Sequence, residues 1–573
     1  LSFPALPVVT AGLRPELFAG AGAHSVSRVL LVTALSVLVL VGFGFRVSGL
    51  SSEGLSEDEL NKLSAVNEYR AQGLTSANGE HPLLMKALVT LSVIAAEKWN
   101  QTSLAAGHPD LNVPVETSLR IPGAVFGAFT AVLIFLVASE LFGLEVGLIS
   151  AALWAFDPLA IGFNRIAKED TFLIFFFMLA NFFWLRGQRV AESQPERNPE
   201  RFYWATAAAF GAMLASKYVP MMIAITVAYN YTFQRIPGTR WVIGKKRFLK
   251  FFFVMGVVFL ICNPTILLPG TWKAMSNFTS YRNMGHDSYE FMGGLYPHRF
   301  QDWLKGEPWY FYFVLLFTKL PILTLFSFGL GLGLLFRRKS GDGRYFLLLW
   351  LALWSIAFMT PGGKFTRYIT SVLPAIIITA AMGVQFTARR LGRLCARVFE
   401  NDSVKVYARS ALASLVIISA FWSTLNAAPH YRLYMSPLGG GPTQAGVYFP
   451  QDEFYDAYMQ DAMIEVARRA RPNARVAVEI PGLATYYAQR ANRPDLVCVE
   501  FSDAELEKFT PGDFLIDARG RTYVSNQAML ARLRQASQPA FAIALGTTPA
   551  AFVYILDQQS LSALRGEVQN RLR

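Results

Sequence analysis

The stretch 51–86 reads SSEGLSEDELNKLSAVNEYRAQGLTSANGEHPLLMK. Asp58 and Glu59 stand side by side near its start, and a polar segment of helical composition carries it to His81-Pro82-Leu83-Leu84-Met85-Lys86. An apolar run, 28–48, precedes it, and roughly ten more follow it. About 20 apolar residues cross roughly 30 Å of hydrocarbon. The stretch is therefore a carboxylate-bearing loop directly after a membrane span, which makes the chain a helical membrane protein with chemistry at one surface. Each feature also has a plainer reading. Asp58 and Glu59 suit the first turn of a helix, where the macrodipole favours anions, and His81-Pro82 suits a helix start, where Pro is well accommodated.

Composition agrees with this reading. Of 573 residues, 53% are hydrophobic and 14% aromatic, and the mean hydropathy is +0.32, too apolar for an ordinary soluble enzyme. Cys262, Cys395 and Cys498 are far apart, so no disulfide framework or thiolate metal site follows from them. The first apolar run is longer than a signal-peptide core and reads as a retained anchor behind a cytoplasmic tail, 1–27.

Candidate spans cover 28–48, 120–142, 146–163, 171–187, 202–216, 219–234, 249–268, 309–335, 345–360, 368–387 and 410–427. With the N-terminus inside, the inner loops 186–201, 234–250, 337–344 and 389–409 carry about 20 Lys and Arg, against about 13 in outer loops of twice the total length. This bias puts the first loop, 51–119, outside. Residues 427–573 hold 15 charges of each sign, so the net charge of +13 falls on the membrane part. It is orientation charge rather than a nucleic-acid surface. After span eleven, LGGGPTQAG (438–446) reads as a linker. Beyond it, a helical stretch (452–470), RVAVEI (475–480), a helix at 483–490, LVCVEF, DFLID, a helix near 525–536, FAIALG and AFVYIL predict a soluble α/β domain. The expected division is 1–27 tail, 28–427 membrane domain, and 428–573 extracytoplasmic domain.

Ionisable residues at the outer ends of spans are functional candidates, because charge near hydrocarbon is costly. They are Asp58, Glu59, His81, Lys86, Arg165, Asp170, Lys217, His286, Asp287, His298, Lys319, Lys364 and Arg367. Carboxylates can act as a general base toward an acceptor, and cations can hold a phosphate. Lys319, inside FYFVLLFTKLPILTLF, needs a partner: a lipid phosphate, a carboxylate, or the interface reached by snorkelling. Arg165 and Asp170 also suit a salt bridge at a turn. There is no Walker loop, HExxH motif or Gly-x-Ser-x-Gly elbow. The six His are scattered, so no dedicated metal site is indicated, although the acidic loop leaves a divalent ion open.

In order, the chain shows Asp58-Glu59, EHPLLMK (80–86), NRIAKEDTFLIFF (164–176), ASKYVPMMI (215–223), PWYFYFVLLFTKLP (308–321) and KFTRYITSVLP (364–374). This series resembles bacterial members of the GT-C glycosyltransferase superfamily, in the branch of dolichyl-phosphate-mannose–protein mannosyltransferases and aminoarabinose lipid A transferases. The resemblance spans about 58–374 and implies a GT-C fold of about eleven transmembrane helices. It also implies inverting transfer of a sugar from a polyprenyl-phosphate donor to a protein or lipid acceptor outside the membrane, with no cofactor. On that resemblance Asp58 is the base and Glu59 positions it. Lys319, Arg367 and Arg165 receive the lipid phosphate, with Lys217 alongside. Asp170 orients Arg165 or meets the acceptor, and His81 and Lys86 pack the first loop. Two features depart from the pattern: the box reads His-Pro-Leu-Leu, without the second proline, and loop 269–307 is short. A secondary transporter or lipid flippase is the rival reading. It should show interrupted spans and two similar halves, and no such repeat is present. A structural membrane subunit leaves Asp58 and Lys319 unexplained.

Overall fold

Helix Val115–Phe142 sets the scale of the molecule. Arg120 near its start meets Glu59, and Glu140 near its end meets Arg186 and Arg189. At 1.5 Å per residue those two contacts lie about 30 Å apart, the thickness of a hydrocarbon core. The structure is a computed structural model and describes residues 28–194, 196–230, 245–280 and 285–571. The predicted tail 1–27, the end of the span 219–234 and most of the basic loop 234–250 lie outside the described residues.

In the apolar windows of Val115–Phe142 and Asp170–Ala191, 61% and 67% of residues are buried, against 6% for Arg28–Val47 and 11% for Ser403–Ala427. The first two form the centre, and the other two present apolar side chains outward, as lipid-facing helices do. The protein is integral to a membrane. A helix stands at each of the eleven predicted places, but among the described residues only four are long and apolar enough to cross, or five if one bent pair counts as a span. Proline accounts for part of the shortfall. The predicted span 146–163 is two helices, Leu144–Ala155 and Pro158–Asn164, meeting at 60°. The span 309–335 breaks at Pro321 into Phe311–Lys319 and Ile322–Leu335.

Beyond Ala427 lies a five-stranded sheet: β3 (Arg475–Val478), β4 (Val497–Glu500), β5 (Phe514–Ala518), β6 (Phe541–Leu545) and β7 (Thr548–Ile555), after a hairpin of β1 (Ser288–Phe291) and β2 (Gly294–Pro297) in loop 269–307. The order is β4-β3-β5-β7-β6, parallel across β4, β3 and β5 and antiparallel at β7 and β6. The helix expected over 452–470 is split into Pro450–Phe454 and Met459–Arg469. Tyr455 and Asp456, at φ +47° and +60°, turn the chain between them. The stretch read as a linker is pinned. The Ser436 amide donates to the Thr318 carbonyl at 2.7 Å, and Arg519 donates to the Gly446 carbonyl at 2.6 Å. One hydrophobic core joins Leu55, Val66, Met85 and Val89 of the first loop to Phe454, Tyr458, Met463, Leu483 and Tyr487.

Candidate active site

Helix α2 (Glu57–Gln72) begins at Ser56, whose hydroxyl accepts from the Glu59 amide while the Glu59 carboxylate accepts from the Ser56 amide. This reciprocal cap fixes the first turn and gives its two carboxylates opposite fates. Glu59 faces inward with 1% of its side chain exposed. It takes two hydrogen bonds from Arg120, at 2.8 and 2.7 Å, and one from the Ala167 amide at 3.1 Å. Arg120 also donates to the carbonyls of Leu50, Glu53 and Gly54, so a single guanidinium fastens the turn 50–59 to helix Val115–Phe142. Asp58 faces the other way and is 35% open. Its Oδ2 lies 2.6 Å from Lys168 Nζ, accepts from the Tyr455 hydroxyl at 2.6 Å, and has Arg367 4.0 Å away.

The tripeptide Lys168-Glu169-Asp170 organises the rest, each side chain pairing with a different element. Lys168 holds Asp58. Glu169 pairs with Lys62 of α2 at 2.6 Å and lies 3.8 Å from His81 Nδ1. Asp170 pairs with Lys217 at 2.6 Å, and Lys217 stands over the Tyr368 ring. On the far side Asp452 accepts from Tyr289 and from the Thr366 amide, with Arg367 3.9 Å away. The predicted residues Asp58, His81, Asp170, Lys217 and Arg367 thus line one cluster.

Others lie apart from it. Arg165 donates to the carbonyls of Phe45, Arg46, Ser48 and Gly49, closing the end of α1 (Arg28–Val47). It is therefore not oriented by Asp170, whose partner is Lys217, and its donors face backbone rather than a phosphate. Lys86 donates to the carbonyls of Ala77, Asn78 and His81 and ties off the loop before α3 (Leu83–Asn100). Lys319 has its partner inside the protein. Its ammonium donates to the carbonyls of Arg432 and Tyr434 and pairs with Glu453 at 3.1 Å, with 3% of the side chain exposed. Lys364 and His298 close on Glu307, and Asp287 accepts from the Val524 and Ser525 amides. His286 stacks on Tyr523. The sequence reading passed over Lys62, Lys168, Glu169 and Tyr455. For Lys168 and Glu169 a signal was present: four charges in the six residues 165–170, between two apolar spans.

Electrostatics separate the groups further. Burial pushes the Asp58 carboxyl up, but Lys168, Arg367 and the Tyr455 hydroxyl outweigh it and hold the group well below the usual carboxylate range. Asp58 is therefore an anion at neutral pH. Burial pushes His81 well below its ordinary value against the pull of Glu169, leaving a neutral imidazole. The arrangement is one partly open carboxylate beside Lys168 and Arg367, with Lys217 on the neighbouring Asp170 and a neutral histidine near Glu169, a set able to take a proton from a hydroxyl and to face a phosphate. Among the described residues no three His, Cys, Asp or Glu side chains come together as a metal site.

The archaeal oligosaccharyltransferase of Archaeoglobus fulgidus in its apo form superposes with a TM-score of 0.52 at 12% identity, over 86% of this chain and 70% of that one. The chain shares the fold of that enzyme. The same enzyme tethered to an acceptor peptide gives 0.51 at 12% identity, over 86% and 69%. ArnT from Cupriavidus metallidurans bound to undecaprenyl phosphate gives 0.45 at 14% identity, over 92% and 98%. In sequence, the pattern of the dolichyl-phosphate-mannose-protein mannosyltransferase family matches residues 110–267. That segment holds Arg120, Lys168, Glu169, Asp170 and Lys217, and so supplies Lys168, one of the three groups that address Asp58. No curated protein matches the chain by sequence.

Proposed function

We propose that the protein is a membrane glycosyltransferase that moves a sugar, with inversion, from a polyprenyl-phosphate donor to a protein or lipid acceptor. The reaction would face the outside of the membrane, the periplasm if this is a bacterial inner-membrane protein. The observation that carries the reading is Asp58, an ionised, half-open carboxylate at the head of α2 with Lys168 at 2.6 Å and Arg367 at 4.0 Å. The family match and the fold give the reaction class its context.

In this reading the acceptor O–H gives its proton to Asp58 as its oxygen bonds to the sugar's anomeric carbon from the face opposite the phosphate. The carbon–oxygen bond to phosphate breaks, and its electron pair leaves on the polyprenyl phosphate. Attack from the opposite face gives inversion. A phosphate already stable as an anion needs cations more than an acid. Lys217, Arg367 and Lys168 are the cations placed for it, and Arg165 and Lys319 hold the walls. Donor lipid would enter from the bilayer, with the C-terminal domain over the acceptor side.

The test is Asp58→Asn in purified protein in lipid, supplied with a panel of polyprenyl-phosphate sugars. Transfer should fall by about 10²–10⁴-fold, the usual scale of a general base, while donor binding stays. Equal turnover in both proteins removes Asp58 as the base.

A further inference from the structure

We propose that Tyr455, supplied by the C-terminal domain, is a positioning residue for Asp58: it pins Oδ2 and keeps water from it, leaving Oδ1 as the atom that receives the acceptor's proton. The inference rests on the reading of Asp58 as the base. Lys168 at 2.6 Å, the Tyr455 hydroxyl at 2.6 Å and Arg367 at 4.0 Å all address Oδ2. The described contacts of the Asp58 carboxylate all end on Oδ2, and the side chain is 35% open. A carboxylate held by one oxygen has its rotation fixed and its other oxygen offered in a constant direction, which is what a base needs toward an incoming hydroxyl.

The backbone that delivers Tyr455 is unusual. One left-handed residue commonly closes a helix. Here two stand in succession, Tyr455 and Asp456, and neither is glycine. Such backbone persists only where the surroundings over-determine it. Arg521 holds Asp456 through both carboxylate oxygens at 2.6 Å, and the Glu57 amide donates to Asp456 at 3.2 Å. Arg432 stands over the Tyr455 ring at 5.5 Å. Asp456 thus grips the residue next to Asp58 in α2, while Tyr455 grips Asp58 itself. The split helix at 455–458 places this hydroxyl, and the catalytic group is incomplete without the C-terminal domain.

Tyr455→Phe removes only the hydroxyl and leaves room for a water beside Oδ2. With Asp58 held by Lys168 and Arg367 alone and water at hand, the donor should be hydrolysed: water loses a proton to Asp58, its oxygen bonds to the anomeric carbon, and polyprenyl phosphate leaves. The experiment follows free sugar from radiolabelled undecaprenyl-phosphate hexoses without acceptor, using the full chain in lipid nanodiscs. We expect at least a tenfold rise in Tyr455→Phe over wild type and its loss in the double variant with Asp58→Asn. Arg521→Gln, which releases the turn without touching Asp58, should give an intermediate rise. No rise in Tyr455→Phe overturns the inference. A rise that survives Asp58→Asn overturns the reading of Asp58 as base and this inference with it. Wild-type behaviour in Tyr455→Phe, with transfer abolished by Asp58→Asn alone, sinks only the role of Tyr455.

Discussion

Adjacent carboxylates at the start of one helix do different work because the helix turns them about 100° apart. Glu59 meets Arg120 in the interior, and Asp58 meets the open cluster. Glu59→Ala should therefore act as a stability variant. It strands a buried guanidinium, and breaking such a pair costs about 3–5 kcal/mol. Thermal unfolding should drop steeply, and Asp58→Asn should leave it much closer to wild type. The sequence showed that carboxylates and cations gather on one surface, but it did not show which cation serves which carboxylate. Lys168 and Asp58 are 110 residues apart, and Tyr455 is 397 residues from Asp58. Local pattern carries no information about such pairings: the sequence offers Asp170 either Arg165 or the acceptor, and the fold brings Lys217 to it instead of Arg165. A further titration belongs to this scale. Burial lifts the Glu479 carboxyl to about 7 against the hydrogen bond from Asn526 and the charge of Arg521. Its folded value lies above the unfolded value of about 4.3, so the folded state binds the extra proton. The contribution to stability is full below about pH 4 and is lost as pH rises through 7. Glu479→Gln keeps an acceptor for Asn526 and should raise the stability of the C-terminal domain by on the order of 2 kcal/mol at pH 8, with no gain at pH 4. Equal gains at both pH values would remove the titration from the account.

Among the elements, apolar runs reported where helices stand, and prolines and close contacts decided their lengths. Pro321 ends the helix that carries Lys319, so the lysine turns toward Arg432, Tyr434 and Glu453 instead of sitting mid-span. Helices Ile322–Leu335 and Leu373–Val398 approach backbone to backbone. A Cβ on Gly331 would stand 1.8 Å from the Thr379 carbonyl oxygen, and one on Gly383 would stand 2.0 Å from that of Ser327. Small residues permit this approach between helices in lipid. Two residues along, a Cβ on Gly333 would meet nothing within 4 Å. Gly331→Ala should cost about 1–3 kcal/mol through overpacking. Gly333→Ala in the same helix should be neutral or gain up to about 1 kcal/mol from helix propensity. Detergent-solubilised melting curves separate the two, and similar behaviour of both would mean that the helices do not meet as described.

At the scale of the molecule, the domain beyond Ala427 is legible as strands and helices, while LGGGPTQAG (438–446) reads only as a linker. Glycines and prolines do not announce that Ser436, Gly446 and Arg519 will be tied down. The consequence is that the first loop and this domain are held to each other. Glu53 in the first loop takes His430 at 2.9 Å and Arg432 at 2.7 Å. The Leu55 amide donates to the Tyr487 hydroxyl at 2.6 Å, the Gly54 amide donates to the Ala457 carbonyl at 3.0 Å, and a shared apolar core fills the space between. Parts joined by a common core and buried ion pairs open together. Glu53→Gln leaves Arg432 with a neutral partner in a buried place, and the loss should be felt on both sides of the junction. Hydrogen exchange should therefore quicken in 57–72 and in 459–490 by a similar factor. Faster exchange confined to 57–72 would mean that the loop opens while the domain stays closed. Asp58 would then be held from the membrane side alone, by Lys168 and Arg367.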